Sequence, residues 1–225
     1  MENKLMIWDI DGTLMHCGGC GRVALNQTFN ELFEIDDAFS YAKIGGAMDA
    51  VILKDILSMS GISFEHKEKI LKKYGQVLEG ILAEFENNII LPGIQEILDY
   101  VKDSRCTYNT ITTSNFEIGA RIKLESHDLN SYFPVGGFGD VEREKWDAAK
   151  EAIQKTQEYY KVEFKKENIY IIGDTWYDIE CAKKLGIQSV AVATGWVEYD
   201  VLKKHSPDYI FNDLSHYNQF INIIS

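Results

Sequence analysis

Two aspartates separated by one residue follow a short apolar run near the start of the chain. They are Asp9 and Asp11 in the segment DIDGTL at residues 9–14. A carboxylate such as Asp9 can attack phosphorus and form an aspartyl phosphate, which divides one difficult displacement into two easier ones. Asp11 can then protonate the leaving alcohol and later deprotonate the attacking water. Gly12 permits the sharp turn that such a loop needs. The spacing therefore predicts an enzyme with an aspartate nucleophile.

The predicted chemistry also needs positive charge, because an anionic nucleophile is repelled by an anionic phosphate. Asp174 and Asp178, together with Asp9, offer the hard oxygen ligands that Mg²⁺ prefers, so we predict Mg²⁺ as the cofactor. Lys145 opens a predicted helix at residues 146–160 and can neutralise both the nucleophile and the phosphate. Arg143 is close enough in sequence to compete for that role.

Ser114 and Asn115 are the predicted substrate-binding residues. They follow a second apolar run and precede a predicted helix at residues 117–125. The Ser114 hydroxyl can donate a hydrogen bond to a phosphate oxygen, and the Asn115 backbone N–H lies where the helix begins. Both residues are also typical of a helix N-cap, and capping is compatible with phosphate binding.

The elements that must position these side chains are short apolar runs, each followed by a polar or glycine-rich turn and then by helical periodicity. This alternation is typical of a parallel sheet covered by helices. The candidate polar residues stand at the ends of three of the runs, and ligands bind outside the carboxyl ends of such strands. We therefore expect one site built from three loops. The predicted strands are Leu5–Trp8, Tyr108–Thr112, Ile169–Ile172, Ser189–Ala193 and Tyr209–Phe211.

The stretch between the first and second of these strands is almost entirely helical in its pattern. Helices are predicted at about residues 23–33, 47–60 and 64–86, with glycines between them. A simple crossover needs one helix, so the surplus predicts an inserted helical domain. The chain is expected to return to the core near Leu91-Pro92-Gly93, before a helix at 94–101.

In these motifs the chain resembles the haloacid dehalogenase-like hydrolase superfamily. The four motifs of that superfamily match, in order, residues 5–14, residues 110–115, Lys145 before its helix, and residues 171–178. The glycine-containing segments at 18–22 and 45–49, with 91–93, are similar to the phosphoglycolate phosphatase-like branch.

The resemblance implies an α/β fold, with a Rossmann-like three-layer core around a parallel sheet and an inserted all-helical cap of the C1 type. The implied cap agrees with the inserted helical domain that the helix pattern predicts at about residues 15–88, which leaves residues 1–14 and 89–225 as the core. Caps of this kind close over the site and recognise the leaving group of the substrate. It assigns Mg²⁺ to the Asp9 side chain, the Asp11 backbone carbonyl and the Asp174 side chain, with Asp178 as a ligand or directly behind one.

The predicted function is therefore that of a phosphatase acting on a small phosphorylated metabolite, with phosphoglycolate suggested by similarity. A sugar phosphomutase with the same residues is the alternative, and a phospho-aspartate regulatory protein is a third class that would not need the long helical insert. A dehalogenase needs no acid at Asp11. A phosphonatase would want a small residue there and a Schiff-base lysine, for which Lys43 is available.

Composition restricts the partners. The formal net charge of -12 disfavours nucleic acid, and no apolar run approaches the length of a membrane span. The start of the chain lacks the features of a signal peptide, so a soluble cytoplasmic protein is expected. The four cysteines suggest no disulfide framework and fit a reducing compartment. The His16-Cys17 to Cys20 segment lacks the partners of a zinc site. The oligomeric state is left open.

Overall fold

A computed structural model describes residues 2–42 and 45–224 of the chain. Its centre is a sheet of six parallel strands. The strands lie side by side in the order β5 (Gly136–Gly137), β4 (Thr107–Thr112), β1 (Lys4–Trp8), β6 (Ile169–Gly173), β7 (Gln188–Val192) and β8 (Tyr209–Phe211). The predicted strands are all present within one or two residues, while β5 was not predicted.

Strand β1 lies in the middle of the sheet, where Leu5 pairs with Tyr108 of β4 on one side and Ile169 of β6 on the other. Residues 5–8 are fully buried. A continuous apolar run of this kind is typical of a parallel strand covered on both faces. Its central position explains why the residues that follow it lie at the middle of the site.

Helices cover both faces of the sheet, and alternate residues of β1 belong to opposite layers. Met6 and Trp8 pack in one apolar layer with α4 (Ile94–Asp103), α5 (Glu117–Glu125) and α9 (Tyr217–Ile224). Leu5 and Ile7 pack in the other layer with α6 (Lys145–Tyr160) and α7 (Trp176–Leu185). The predicted three-layer α/β core is confirmed. A further helix, α8 (Tyr199–Lys204), lies between β7 and β8 in the chain.

Three further helices, α1 (Cys20–Phe33), α2 (Asp49–Ser60) and α3 (Lys67–Glu84), lie between β1 and β4 in the chain. They share an apolar core of their own. Helix α1 begins three residues before its predicted start, and α3 follows a short 3-10 helix at Phe64–His66. The helical character predicted for the insert is thus present, while its domain bounds of 15–88 stay a prediction. Lys43 lies outside the described residues.

The insert leaves and rejoins the core through two short paired strands, β2 (Met15–His16) and β3 (Ile89–Ile90). They are antiparallel, with Met15 opposite Ile90 and His16 opposite Ile89. The chain therefore enters and leaves the insert at neighbouring positions. Among the described helices, none is both long enough and apolar enough to cross a membrane.

Candidate active site

The three loops expected to form one site do meet at the carboxyl ends of adjacent strands. Asp9 directly follows β1, and Ser114 and Asn115 come shortly after β4, which is its neighbour on one side. Asp174 follows β6, the neighbour on the other side. Because these three strands are parallel and adjacent, the side chains that follow them converge on one edge of the sheet.

Three carboxylates are brought together at this edge. The side chains of Asp9, Asp174 and Asp178 are all buried, and one oxygen of each lies within 4.8 Å of the others. Loss of hydration on burial raises the pKa of Asp9 to about 6 and that of Asp174 to about 8. The neighbouring carboxylates add to both shifts. Three buried carboxylates repel one another when they are ionised, and a bound cation would offset this repulsion.

One oxygen of Asp174 has no protein partner in the described structure. Oδ2 is buried without a hydrogen bond, while Oδ1 lies 3.4 Å from the Thr13 hydroxyl that donates to it. Gly195 comes so close that a Cβ there would lie 1.6 Å from Oδ2. A buried, uncommitted carboxylate oxygen is costly unless something binds it. The donor set, all carboxylate oxygen, fits a hard divalent cation such as Mg²⁺.

Lys145, the first residue of α6, places its ammonium beside two members of the cluster. Its Nζ lies 3.1 Å from Oδ1 of Asp9 and 2.7 Å from Oδ1 of Asp178. Burial lowers the pKa of Lys145, but the two carboxylates outweigh it and raise the pKa above its ordinary value. Arg143, the competing candidate, instead pairs with Glu151 and donates to the Phe138 carbonyl at 2.9 Å.

Asp178 is fixed by the start of helix α7. Its Oδ2 accepts hydrogen bonds from the Thr175 backbone N–H at 3.1 Å and from the Thr175 hydroxyl at 2.7 Å. This is a capping box, which satisfies backbone groups at the N-terminus of the helix. The second oxygen of Asp178 is left to face Lys145. One residue therefore caps the helix and orients the lysine.

Asp11 lies apart from the three-carboxylate cluster, with its side chain turned toward α5. The Lys123 ammonium lies 2.7 Å from both of its oxygens, and the Asn115 amide donates to Oδ2 at 2.8 Å. Burial alone would raise the pKa of Asp11, but Lys123 and Asn115 hold that pKa below its usual range. Gly12 has a φ of 82° and makes the turn expected after Asp11.

The two predicted phosphate-binding residues differ in their surroundings. The Asn115 side chain joins Asp11 and Lys123, and its backbone N–H donates to the Thr113 hydroxyl at 3.3 Å. Ser114 accepts a hydrogen bond at its backbone carbonyl from the Asp49 N–H at 2.9 Å. Asn115 lines the cavity beside Asp11. The roles of both residues toward a substrate stay predictions.

Sequence reasoning missed two charged residues of the site, Lys123 and Asp49. Lys123 is 3% exposed and lies on the buried face of α5, next to Ala120 and Leu124. A lysine at an apolar position of an amphipathic helix is a signal that was available in the sequence. Asp49 opens α2, and its Oδ2 accepts a hydrogen bond from the Phe116 backbone N–H at 3.0 Å. Nothing local marks that contact.

A cavity of about 350 Å³ opens in front of Asp11. It lies between the core and the helical insert, since both contribute side chains to its wall. Its lining includes the charged residues Asp11, Arg22, Asp49 and Lys123 and the aromatic residues Tyr74 and Trp196. The size suits a small molecule.

Cys17 and Cys20 form a disulfide at the edge of this cavity. The expectation of reduced thiols is therefore wrong for this pair. The reason is local: Gly18 and Gly19 both have positive φ, so the chain turns back and the two cysteine Cα atoms lie 5.6 Å apart. Cys17 Sγ is 3.4 Å from Oδ1 of Asp11.

The fold and the carboxylate site together define the class of protein. The family model described as haloacid dehalogenase-like hydrolase matches residues 6–192, and the chain belongs to this family. The resemblance predicted from the motifs is confirmed.

The chain is also similar to two named relatives. The PpaX protein of Caldanaerobacter subterraneus subsp. tengcongensis, assigned a pyrophosphatase function, is 28% identical over 219 residues, which is 95% of this chain and 92% of PpaX. A phosphoglycolate phosphatase of Vibrio parahaemolyticus is 24% identical and covers 94% of this chain and 93% of its own length. The prediction of a phosphate-ester hydrolase agrees with these names.

Solved structures share the fold. A hydrolase from Pseudomonas syringae superposes with a TM-score of 0.70 at 23% identity, covering 99% of this chain and 100% of its own. CbbY from Rhodobacter sphaeroides, solved with phosphate, also reaches 0.70, at 17% identity and 95% coverage of both chains. The α/β core with its helical insert is thus a known arrangement.

Proposed function

We propose that this protein is a Mg²⁺-dependent phosphatase that hydrolyses a small phosphorylated metabolite through an aspartyl-phosphate intermediate. The observation that carries the proposal is the buried Asp174 Oδ2, which has no hydrogen-bond partner among the described residues, beside Asp9 and Asp178. Phosphoglycolate is the candidate substrate, because a relative bearing that name aligns with 94% of the chain.

Mg²⁺ would be held by the side chains of Asp9 and Asp174 and by the backbone carbonyl of Asp11, with Asp178 as a ligand or directly behind one. When bound, the ion would offset the negative charge of the nucleophile and of the phosphate. Lys145, at 3.1 Å from Asp9, adds a second positive charge and holds the carboxylate in place.

Asp9 then attacks phosphorus. A bond forms between its carboxylate oxygen and phosphorus while the ester P–O bond breaks, and Asp11 gives a proton to the leaving oxygen. Asp11 must be protonated for this step, against the lowering of its pKa by Lys123 and Asn115 in the absence of substrate. In the second step Asp11 takes a proton from water, whose oxygen attacks the aspartyl phosphate. The bond to Asp9 breaks, and inorganic phosphate leaves.

Access of water to Asp11 supports hydrolysis over the phosphomutase alternative. The Asp11 side chain is 39% exposed toward the cavity. A phosphomutase must exclude water from this position in order to return the phosphoryl group to its substrate. Products separate the two activities: a phosphatase releases phosphate from sugar phosphates, whereas a mutase yields an isomer.

The helical insert, residues 15–88, is proposed as the cap that selects the leaving group. Its residues Arg22, Asp49 and Tyr74 line the cavity in front of Asp11. Residues of the core supply the reacting groups, so chemistry and selection are divided between the two parts of the chain.

The proposal is tested with a panel of phosphorylated metabolites, assayed for phosphate release with Mg²⁺ and again after chelation. Asp9→Asn should lower kcat by at least about 10³-fold, because it removes the nucleophile. Asp103→Asn, on the exposed side of α4, is the matched control and should keep full activity. Activity that survives chelation, or Mg²⁺-dependent activity retained by Asp9→Asn, would contradict the mechanism.

A further inference from the structure

Lys123 carries a positive charge at a buried position of helix α5, where an apolar side chain would be expected. Its side chain is 3% exposed on the inner face of α5, among apolar neighbours. Burying an ammonium costs free energy, and an apolar side chain of similar volume would often be equally stabilising at such a position. The lysine instead places all of its hydrogen bonds in the site: Nζ lies 2.7 Å from both oxygens of Asp11 and 2.8 Å from Oδ1 of Asn115.

The ammonium is also reachable from the cavity. Gly21 of α1 faces it, and a Cβ at Gly21 would lie 3.6 Å from Lys123 Nζ and 3.2 Å from the Tyr74 hydroxyl. Since Gly21 has no side chain, α1 places only backbone beside the ammonium at this position. Lys123 and Gly21 both belong to the wall of the 350 Å³ cavity.

The position of Lys123 relative to Asp11 fixes which part of a substrate it would meet. A leaving group must bring its scissile oxygen to Asp11 in order to receive a proton. Atoms one or two bonds beyond that oxygen then lie within a few ångströms of Lys123, because Nζ is 2.7 Å from both Asp11 oxygens. An anionic group at that place could accept an N–H of the lysine in exchange for one Asp11 contact.

Other charges around the cavity are compatible with an anion there. The Asp49 carboxyl is committed to the Phe116 backbone N–H at 3.0 Å. Arg22 adds a second cation at the exposed rim, with its guanidinium 4.8 Å from the centre of the Phe39 ring. The positive charges of Lys123 and Arg22 therefore balance the negative charges of Asp11 and Asp49 in the cavity wall, and they do not leave a net negative charge that would repel an anion.

On the basis of the proposed function, we propose that Lys123 is a specificity-determining residue that binds an anionic group of the leaving group, within two bonds of the scissile oxygen. A carboxylate and a phosphate both present the required oxygens. The substrates named for two relatives, phosphoglycolate and pyrophosphate, each have a leaving group of this kind. Neutral alcohols of the same size lack it.

The test compares ligands that differ in this group alone. Asp9→Asn is used as the background, so that binding is measured without turnover. Isothermal titration in Mg²⁺ compares 2-phosphoglycolate with 2-hydroxyethyl phosphate, which has a neutral hydroxymethyl in place of the carboxylate. We expect about 10- to 100-fold tighter binding of phosphoglycolate, the range for a hydrogen bond to a charged group. Pyrophosphate as a third ligand distinguishes a phosphate from a carboxylate as the preferred anion.

Adding Lys123→Gln to this background should reduce the preference to about one, whereas Lys72→Gln, on the exposed face of α3, should leave it unchanged. Lys123→Arg keeps the charge and should retain part of the preference. Equal binding of the two esters by Asp9→Asn would overturn the proposal without any change at Lys123, so the test holds even if Lys123→Gln fails to fold. Equal weakening of both ligands in a folded Lys123→Gln variant would also overturn it, since that marks a structural role.

Failure of the proposed function gives a different result. If the unsubstituted enzyme releases no phosphate from any ester while the binding preference and its loss in Lys123→Gln stand, the reaction is wrong and the specificity site is right.

Discussion

Removing the charge of Asp49 should stabilise the protein at neutral pH. The carboxyl opens α2, lies partly buried against the motif after β4, and accepts the Phe116 backbone N–H at 3.0 Å. Burial raises the pKa of Asp49 from 3.8 to about 6. The Asp49→Asn side chain keeps an oxygen acceptor for the same N–H and has no charge to bury.

The sign and size of the effect follow from the pKa difference between the folded and unfolded chain. The folded protein holds the Asp49 proton more tightly, so wild-type stability is lost as pH rises from about 4 through 6. A difference of about two between the pKa of Asp49 in the folded and in the unfolded chain lowers the free energy of unfolding by at most about 3 kcal/mol above pH 7. Below pH 4 Asp49 is protonated in both the folded and the unfolded chain, so its charge no longer destabilises the folded protein. Asp49→Asn does not titrate, and its advantage over wild type should therefore grow with pH.

The measurement is urea unfolding at a series of pH values from 4 to 8, followed by tryptophan fluorescence with EDTA present to keep metal out. The free energy of unfolding of Asp49→Asn should exceed that of wild type by about 0.5 kcal/mol at pH 4 and by up to about 3 kcal/mol at pH 8. Asp103→Asn, an exposed control, should match wild type throughout. A difference that stays constant across this range, or a less stable Asp49→Asn protein at pH 8, would refute the reasoning.

Two further predictions concern glycine packing and the disulfide. Gly195→Ala should lower kcat/KM by about 10²-fold or more and raise the Mg²⁺ requirement, because its Cβ would lie 1.6 Å from Asp174 Oδ2 and must displace it. Gly80→Ala is the control, because no atom of the described residues lies within 4 Å of a Cβ there, and it should stabilise α3 by about 0.5–1 kcal/mol. Equal activity of the two variants would contradict the packing argument. Reduction of the Cys17–Cys20 disulfide should lower the free energy of unfolding by about 2 kcal/mol, measured by denaturation with and without dithiothreitol. Replacing both cysteines with serine should abolish the response to reductant, and an unchanged transition in the reduced wild type would show that the link adds nothing.

The sequence predicted the core of the fold because its signals are local. Leu5–Trp8 is an unbroken apolar run, and its burial on both faces makes it a central parallel strand. The rule that parallel strand ends share an edge then brought Asp9 and Asp174 to one place. Glycine-rich β5 (Gly136–Gly137) carries no apolar run, so its strand could not be predicted.

The contacts within the site depended on tertiary structure. Lys123 meets Asp11 across 112 residues of sequence, and Asp49 meets Phe116 across 67. No periodicity encodes such a pairing. The choice between Lys145 and Arg143 was also open in sequence, since both lie at the start of the same helix. Only the structure shows that Lys145 contacts Asp9 while Arg143 contacts Glu151.

The pairing of β2 with β3 brings the two ends of the helical insert together. Because His16 lies opposite Ile89, the chain enters and leaves the insert at one place, and a turn of a few residues could close the gap between them. A change in the length of the insert therefore need not move the two points at which it joins the sheet. Under the proposed division of roles, exchange of this segment would change the leaving group that is accepted, while Asp9, Asp174 and Asp178 would keep their positions.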